Sequence, residues 1–222
     1  MLKYRRIIQD SARRIADAAN RAVDDYIMAD AENQAEFTGI MLGRIKTAMD
    51  GHSNRGVRWT AKTLTSHSPN ARDNTVTADF LGVVEFELPE YRVKKGFLAQ
   101  VRRIERGLPM APHEWDRLAD QCKQMLAITA ESYVFVCARS GIVVVPALAI
   151  ASGTAPRNPH DFYSRTALRF YEDHFECFVG DLEVSSADTA TLQRLKARYA
   201  LYLGASPIEP VADLQMQLGK LL

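Results

Sequence analysis

Cysteine, long apolar runs, net charge and histidine clusters are all scarce in this chain, and each scarcity removes a class of protein. Its 222 residues contain Cys122, Cys137 and Cys177. They are odd in number, widely spaced and set among apolar or helical neighbours, with no CxxC pair, which argues against a disulfide framework or a cysteine-rich zinc module and predicts reduced, buried thiols. No run approaches the roughly 20 apolar residues that cross a bilayer. Met1-Leu2-Lys3-Tyr4-Arg5-Arg6 leads into a charged amphipathic segment rather than an apolar stretch with a cleavage site. These features predict a soluble, cytoplasmic protein with no membrane partner. The 28 basic and 27 acidic residues leave a net charge of +1, so affinity for a polyanion has to come from a local patch. His52, His67, His113, His160 and His174 show no ligand spacing and read as structural or surface residues. There is no internal repeat and no low-complexity segment.

What remains is an ordinary globular composition, 47% hydrophobic and 25% charged, long enough to bury a substantial core. From about Lys3 to Met28, Ile7, Ile8, Ile15, Ala19, Val23 and Ile27 recur at helical spacing. A second helix, Ala31 to Met49, is predicted to stop at Asp50-Gly51. After the polar turn Ser53-Asn54-Arg55-Gly56, strands are predicted over Val57–Leu64, Thr75–Leu88 and Gly96–Ile104, the first two separated by the breaker segment His67–Asn74. Pro109 and Pro112 open a helix from His113 to Ile128; strands Ser132–Ala138 and Ile142–Ile150 follow around the turn Arg139-Ser140-Gly141. Ala151 to Asn158 reads as a connection suited to ordering on binding. Helices are predicted at Asp161–Val179 and Ala187–Leu203, with an amphipathic tail near Val211–Leu221.

The stretch Ala78-Asp79-Phe80-Leu81-Gly82-Val83-Val84-Glu85 puts one carboxylate at the mouth of an apolar strand, and Gln100-Val101-Arg102-Arg103 closes the next. Residues two apart on a strand share a face, so Gln100 and Arg102 point together. Asp79 followed one strand later by Gln-x-Arg, within an order of helix, three strands, helix and strand, resembles the PD-(D/E)XK nuclease superfamily from about Ala31 to Ile150. The likeness is to methyl-directed restriction endonucleases with a Gln-x-Lys signature, Arg102 standing where the lysine would be.

The resemblance implies an α/β fold: a mixed β-sheet flanked by helices, with an α-β-β-β-α-β core and added N- and C-terminal helices. It divides the chain into an N-terminal helix (1–29), a core (30–152) and a C-terminal helical extension packed on it (153–222). It also implies that Asp79 and Gln100 hold Mg²⁺ or Mn²⁺, that Arg102 clamps phosphate, and that a helix glutamate completes the site, Glu36 ahead of Glu32. Hard divalent ions take such oxygen ligands. Arginine supplies charge and a bidentate grip but no base. Lys62 and Lys95 are the neighbouring lysines able to take the missing role, and Glu85 is placed to flank the metal.

Arg92, Lys94, Lys95, Arg102, Arg103 and Arg106 make the densest basic region, a candidate phosphate-tracking surface. Three functional readings follow. The first is a Mg-dependent nuclease acting on DNA phosphodiesters. The second is a catalytically degenerate nuclease-fold subunit for DNA binding or assembly, and the third an α/β protein-interaction scaffold docking through its N-terminal helix. A protein partner or a homodimer fits the last two.

Overall fold

The computed structural model describes residues 2–28, 34–66, 76–153 and 158–208. The chain forms one eight-stranded mixed sheet with helices on both faces. In chain order these are α1 (Arg5–Met28), α2 (Gln34–Met49), β1 (Ser53–Asn54), β2 (Val57–Thr65), β3 (Ala78–Leu88), β4 (Tyr91–Arg103), α3 (Pro112–Leu126), β5 (Ser132–Ala138), β6 (Gly141–Pro146), α4 (Ala147–Ala151), β7 (Arg165–Thr166), α5 (Ala167–Phe175), α6 (Thr189–Leu195) and β8 (Ala197–Pro207). Across the sheet the order is β1-β2-β8-β3-β4-β5-β6-β7. β8 runs parallel to β3 and antiparallel to β2, while β4 and β5 are parallel across the α3 crossover.

Alternation along the strands produces two cores. Phe80, Val84, Phe86, Phe97, Ala99, Val101 and Phe135 face α1, α2 and α5, whereas Leu81, Val83, Leu98, Val134 and Val136 face α3, α4 and α6. The apolar stripe of α1, with Ile7, Ile8, Ile15, Ala19 and Val23 all buried, is spent on the first core. Docking of a partner on that stripe would require α1 to leave the sheet.

Several boundaries differ from the sequence reading, each for a physical reason. The predicted helix over Ala187–Leu203 is α6, stopped by Lys196 in the left-handed region (φ 51°), and then strand β8. Its alanines and leucines favour a helix, but propensity is worth only tenths of a kcal/mol per residue, and pairing with strands on both sides overrides it. The C-terminal part is therefore no helical extension, because it supplies a central strand, inserted between the first two of the three core strands.

Pro146 ends β6 and the alanine-rich Ala147–Ala151 turns into α4 rather than prolonging the strand. The aromatic helix is likewise only Ala167–Phe175: Arg165 and Thr166 pair with β6, and the Thr166 hydroxyl accepts the Arg169 N–H as an N-cap. Gly51 (φ 72°) closes α2 in the left-handed conformation the sequence predicts. Residues 1, 29–33, 67–75, 154–157 and 209–222 lie outside the described set, and with them Glu32, all of the His67–Asn74 breaker, part of the 151–158 connection and the amphipathic tail.

Candidate functional site

Asp79 lies near the start of β3 and Gln100 near the end of β4, one residue past the Phe80–Ala99 pair of the antiparallel ladder. Both side chains, with Arg102, face α3. The Val101 N–H donates to Asp79 Oδ2 at 2.8 Å, and Arg102 Nη1 donates to the same oxygen at 3.1 Å. Arg102 also donates from Nη1 to the Val101 carbonyl at 2.6 Å and from Nη2 to Gln121 Oε1 on α3. The two charged side chains are each 14% exposed. Burial draws the Arg102 guanidinium below its ordinary value, and Asp79 opposes that shift. Cys122, beside this pair on α3, is pushed by burial up to about 12, consistent with an inert thiol; all three cysteines are free of disulfides, and Cys177 is part-buried where the sequence predicts a buried thiol. Gln100 is fully buried: Nε2 donates to the Thr77 carbonyl at 2.8 Å, while Oε1 has no partner.

Asp79 and Arg102 therefore meet and Gln100 shares their face, turned to the Thr77 carbonyl, but the other implied members do not join them. Glu36 is exposed on the first turn of α2, whose Phe37, Met41 and Ile45 pack into the first core, so it lies on the opposite face of the sheet. Lys62 on β2 pairs across β8 at Tyr202, and Tyr202 in turn pairs with Val83. That places it roughly 13 Å along the strands and 10 Å across them from Asp79. Lys95 faces away from Asp79 and donates to the Cys177 carbonyl at 2.9 Å, a structural tie. Glu85 is held by Lys94 and by the Tyr202 hydroxyl, both at 2.9 Å.

As arranged, the implied ligand set is incomplete. One carboxylate is already neutralised by a guanidinium held through three acceptors, the second acidic ligand is across the sheet, and no group of three or more His, Cys, Asp or Glu side chains able to hold a metal exists among the described residues. The unpartnered Gln100 Oε1 is the one feature that would suit a cation.

The basic cluster is likewise divided. Lys94 and Lys95 point to opposite faces, and Lys94 stands nine residues from Arg103 along β4, roughly 30 Å away in an extended strand. Arg102 and Arg103 instead line a cavity of about 440 Å³ at the opposite end of the sheet, joined there by Arg117 of α3 and Arg198 of β8. Asp79, Glu105 and Glu114 supply its carboxylates. Arg106 is exposed on the loop that forms the cavity's lip, though not itself in the lining.

That lip, Ile104–Ala111, is held from behind by Asn158, whose Nδ2 donates to the carbonyls of Glu105 and Leu108, each at 2.6 Å. His160 Nε2 bonds the Ile104 carbonyl at 2.8 Å. Arg117 and Gln121, four apart on α3, share a helix face visible in the sequence. Arg198 had no such signal, because its segment reads as a helix.

Compared with known proteins, the chain matches no family model, no curated protein and no solved structure.

Proposed function

We propose that the chain is a nucleic-acid-binding module that grips phosphate in the arginine-lined cleft without hydrolysing it. The observation that carries this reading is the Arg102–Asp79 contact at 3.1 Å: where a nuclease of the resembled superfamily needs a vacant carboxylate for a metal, a resident guanidinium already neutralises it. What is left is a pocket in which four guanidiniums meet three carboxylates, two of them engaged, Asp79 by Arg102 and Glu105 by the Arg139 N–H at 3.2 Å. Guanidinium forks match phosphate oxygens in geometry and charge. The near-neutral molecule then has a local site for a polyanion, with binding that weakens steeply as salt rises.

A Mg²⁺- or Mn²⁺-dependent endonuclease on DNA is the second reading, favoured by the unpartnered Gln100 Oε1. Fluorescence anisotropy with short DNA at low salt, with EDTA or with Mg²⁺, separates the two. Binding indifferent to the metal, uncut DNA, and a loss of about tenfold in affinity on Arg117→Glu are expected. Mg²⁺-dependent nicking of plasmid that Asp79→Asn abolishes would replace this proposal with the hydrolytic one. An absence of DNA binding by folded protein would remove both.

A further inference from the structure

We infer that the cleft takes the phosphate monoester of a nucleotide, carried at the end of a strand or free, rather than an uninterrupted phosphodiester backbone. The inference rests on reading the cleft as a nucleic-acid site and concerns which part of the ligand enters it.

Shape is the first argument. The cavity holds about 440 Å³, the size of a small-molecule pocket rather than a groove along a duplex. Asp79, Arg102 and Arg198, at the ends of three neighbouring strands, are its part-buried charged lining, and Arg103 is exposed beside them. The first turns of α3 wall one side and the Ile104–Ala111 loop another. A strand end or a free nucleotide can bring its phosphate to the recessed Arg102, whereas a continuous backbone passing over the cavity meets the exposed Arg103 and Arg117.

Chemistry is the second argument. A monoester carries about −1.5 to −2 charges near neutral pH and three terminal oxygens, against a single charge on a diester. Arg102 retains N–H groups beyond those given to Asp79, Val101 and Gln121, and Arg103, Arg117 and Arg198 bring further positive charge to the lining. The lip adds a different surface: Leu108, 70% exposed, next to Pro109 and Met110. Cations in the lining and apolar groups at the mouth suit a phosphate followed by a sugar and a base. Asn158, bonded to two carbonyls of the lip, keeps that apolar edge in place.

The test is competition against a 3′-labelled, 5′-phosphorylated single-stranded ten-mer at low salt, read by anisotropy. Competitors are the 5′-hydroxyl strand, a circular single strand, a deoxynucleoside monophosphate and inorganic phosphate. The expected result is that the phosphorylated strand competes at least tenfold better than the hydroxyl and circular strands. Arg117→Glu should erase that preference, and Arg13→Glu, on α1 across the sheet, should preserve it. A free monophosphate as effective as the phosphorylated strand supports the same site with the nucleotide as its source. Equal competition by phosphorylated, hydroxyl and circular strands overturns the inference and leaves the nucleic-acid reading standing. Inorganic phosphate matching the nucleotide overturns the role of the lip and with it the nucleotide class. Binding of none of these to folded protein overturns both.

Discussion

A guanidinium that reaches an aspartate at a strand end and is itself held by a carbonyl and a glutamine amide is fixed in the wall of the cleft, pre-positioned rather than mobile. For Asp79 and Arg102 this has a measurable consequence. Asp79→Ala leaves a nearly buried cation without its counter-ion and the Val101 N–H without its acceptor, so we expect a loss on the order of 3 kcal/mol in urea unfolding. Asp79→Asn keeps an acceptor for Val101 and should lose less. A loss for Asp79→Ala below about 1 kcal/mol would show that the pair does not hold the strand ends together.

His174 is a second buried polar residue, packed against Phe97, Phe170 and Phe175, with its Nδ1 bonded to the Val179 carbonyl at 3.1 Å. Burial lowers its value from 6.5 to about 4, with Lys95 acting in the same direction. The folded state therefore binds a proton less readily than the unfolded chain. Stability from this residue is complete above pH 6.5 and falls as pH drops through the window to about 4, by about 3 kcal/mol at the bottom of it. His174→Gln should remove that part of the pH slope while other carboxylate titrations persist, which a comparison of urea midpoints between pH 7 and 4 will reveal.

At the scale of elements, the sequence announces those whose stability is local. α1 carries its own apolar period and β5 is almost entirely apolar, whereas β4 begins at Tyr91 after the two-residue turn Pro89-Glu90, five residues ahead of the strand the sequence predicts. The pieces missed were those whose state depends on distant chain: α4, the shortened α5, and above all β8. One close approach shows this dependence. A Cβ on Gly96 would stand 2.1 Å from the Val184 carbonyl oxygen and 3.0 Å from that of Gly82, backbone atoms on both sides. Gly96→Ala must displace the segment around Val184 or the β3–β4 ladder, and we expect 2–3 kcal/mol of destabilisation or more in denaturant titration. An effect within 0.5 kcal/mol, typical of surface changes, would contradict the packing.

The Asn158 tie makes a second prediction at this scale. Asn158→Ala removes both donors to the lip, so amides of residues 104–111 should exchange faster and DNA affinity should fall several-fold, with the global midpoint moved far less than the local protection. Unchanged exchange there would show that the loop is held by other means.

For the molecule as a whole, the insertion of β8 decides what can fold alone. A fragment ending at residue 152 retains the helix–strand order legible in the sequence, yet β2 loses its only long partner and β3 loses one of its two. It should lack a cooperative unfolding transition by circular dichroism, whereas 1–208 should show one. A cooperatively folded 1–152 would mean that the C-terminal strand is an accessory.

The sequence by itself determined the fold class, since period and breakers place most helices and strands, and it set Gln100 and Arg102 on one face of one strand, since a two-residue period leaves little freedom. It could not determine that Glu36 faces away, that Lys94 and Arg103 stand at opposite ends of one strand, or that Arg198 enters the cleft. Those are facts of strand length, sheet order and facing, and Arg198 arrives through pairings of β8 with residues more than a hundred positions away, which leave no periodic mark on either partner. The state of Asp79 is of the same kind. Whether a carboxylate is vacant or neutralised depends on where a neighbouring guanidinium is anchored, and Gln121 on a separate helix helps to anchor it.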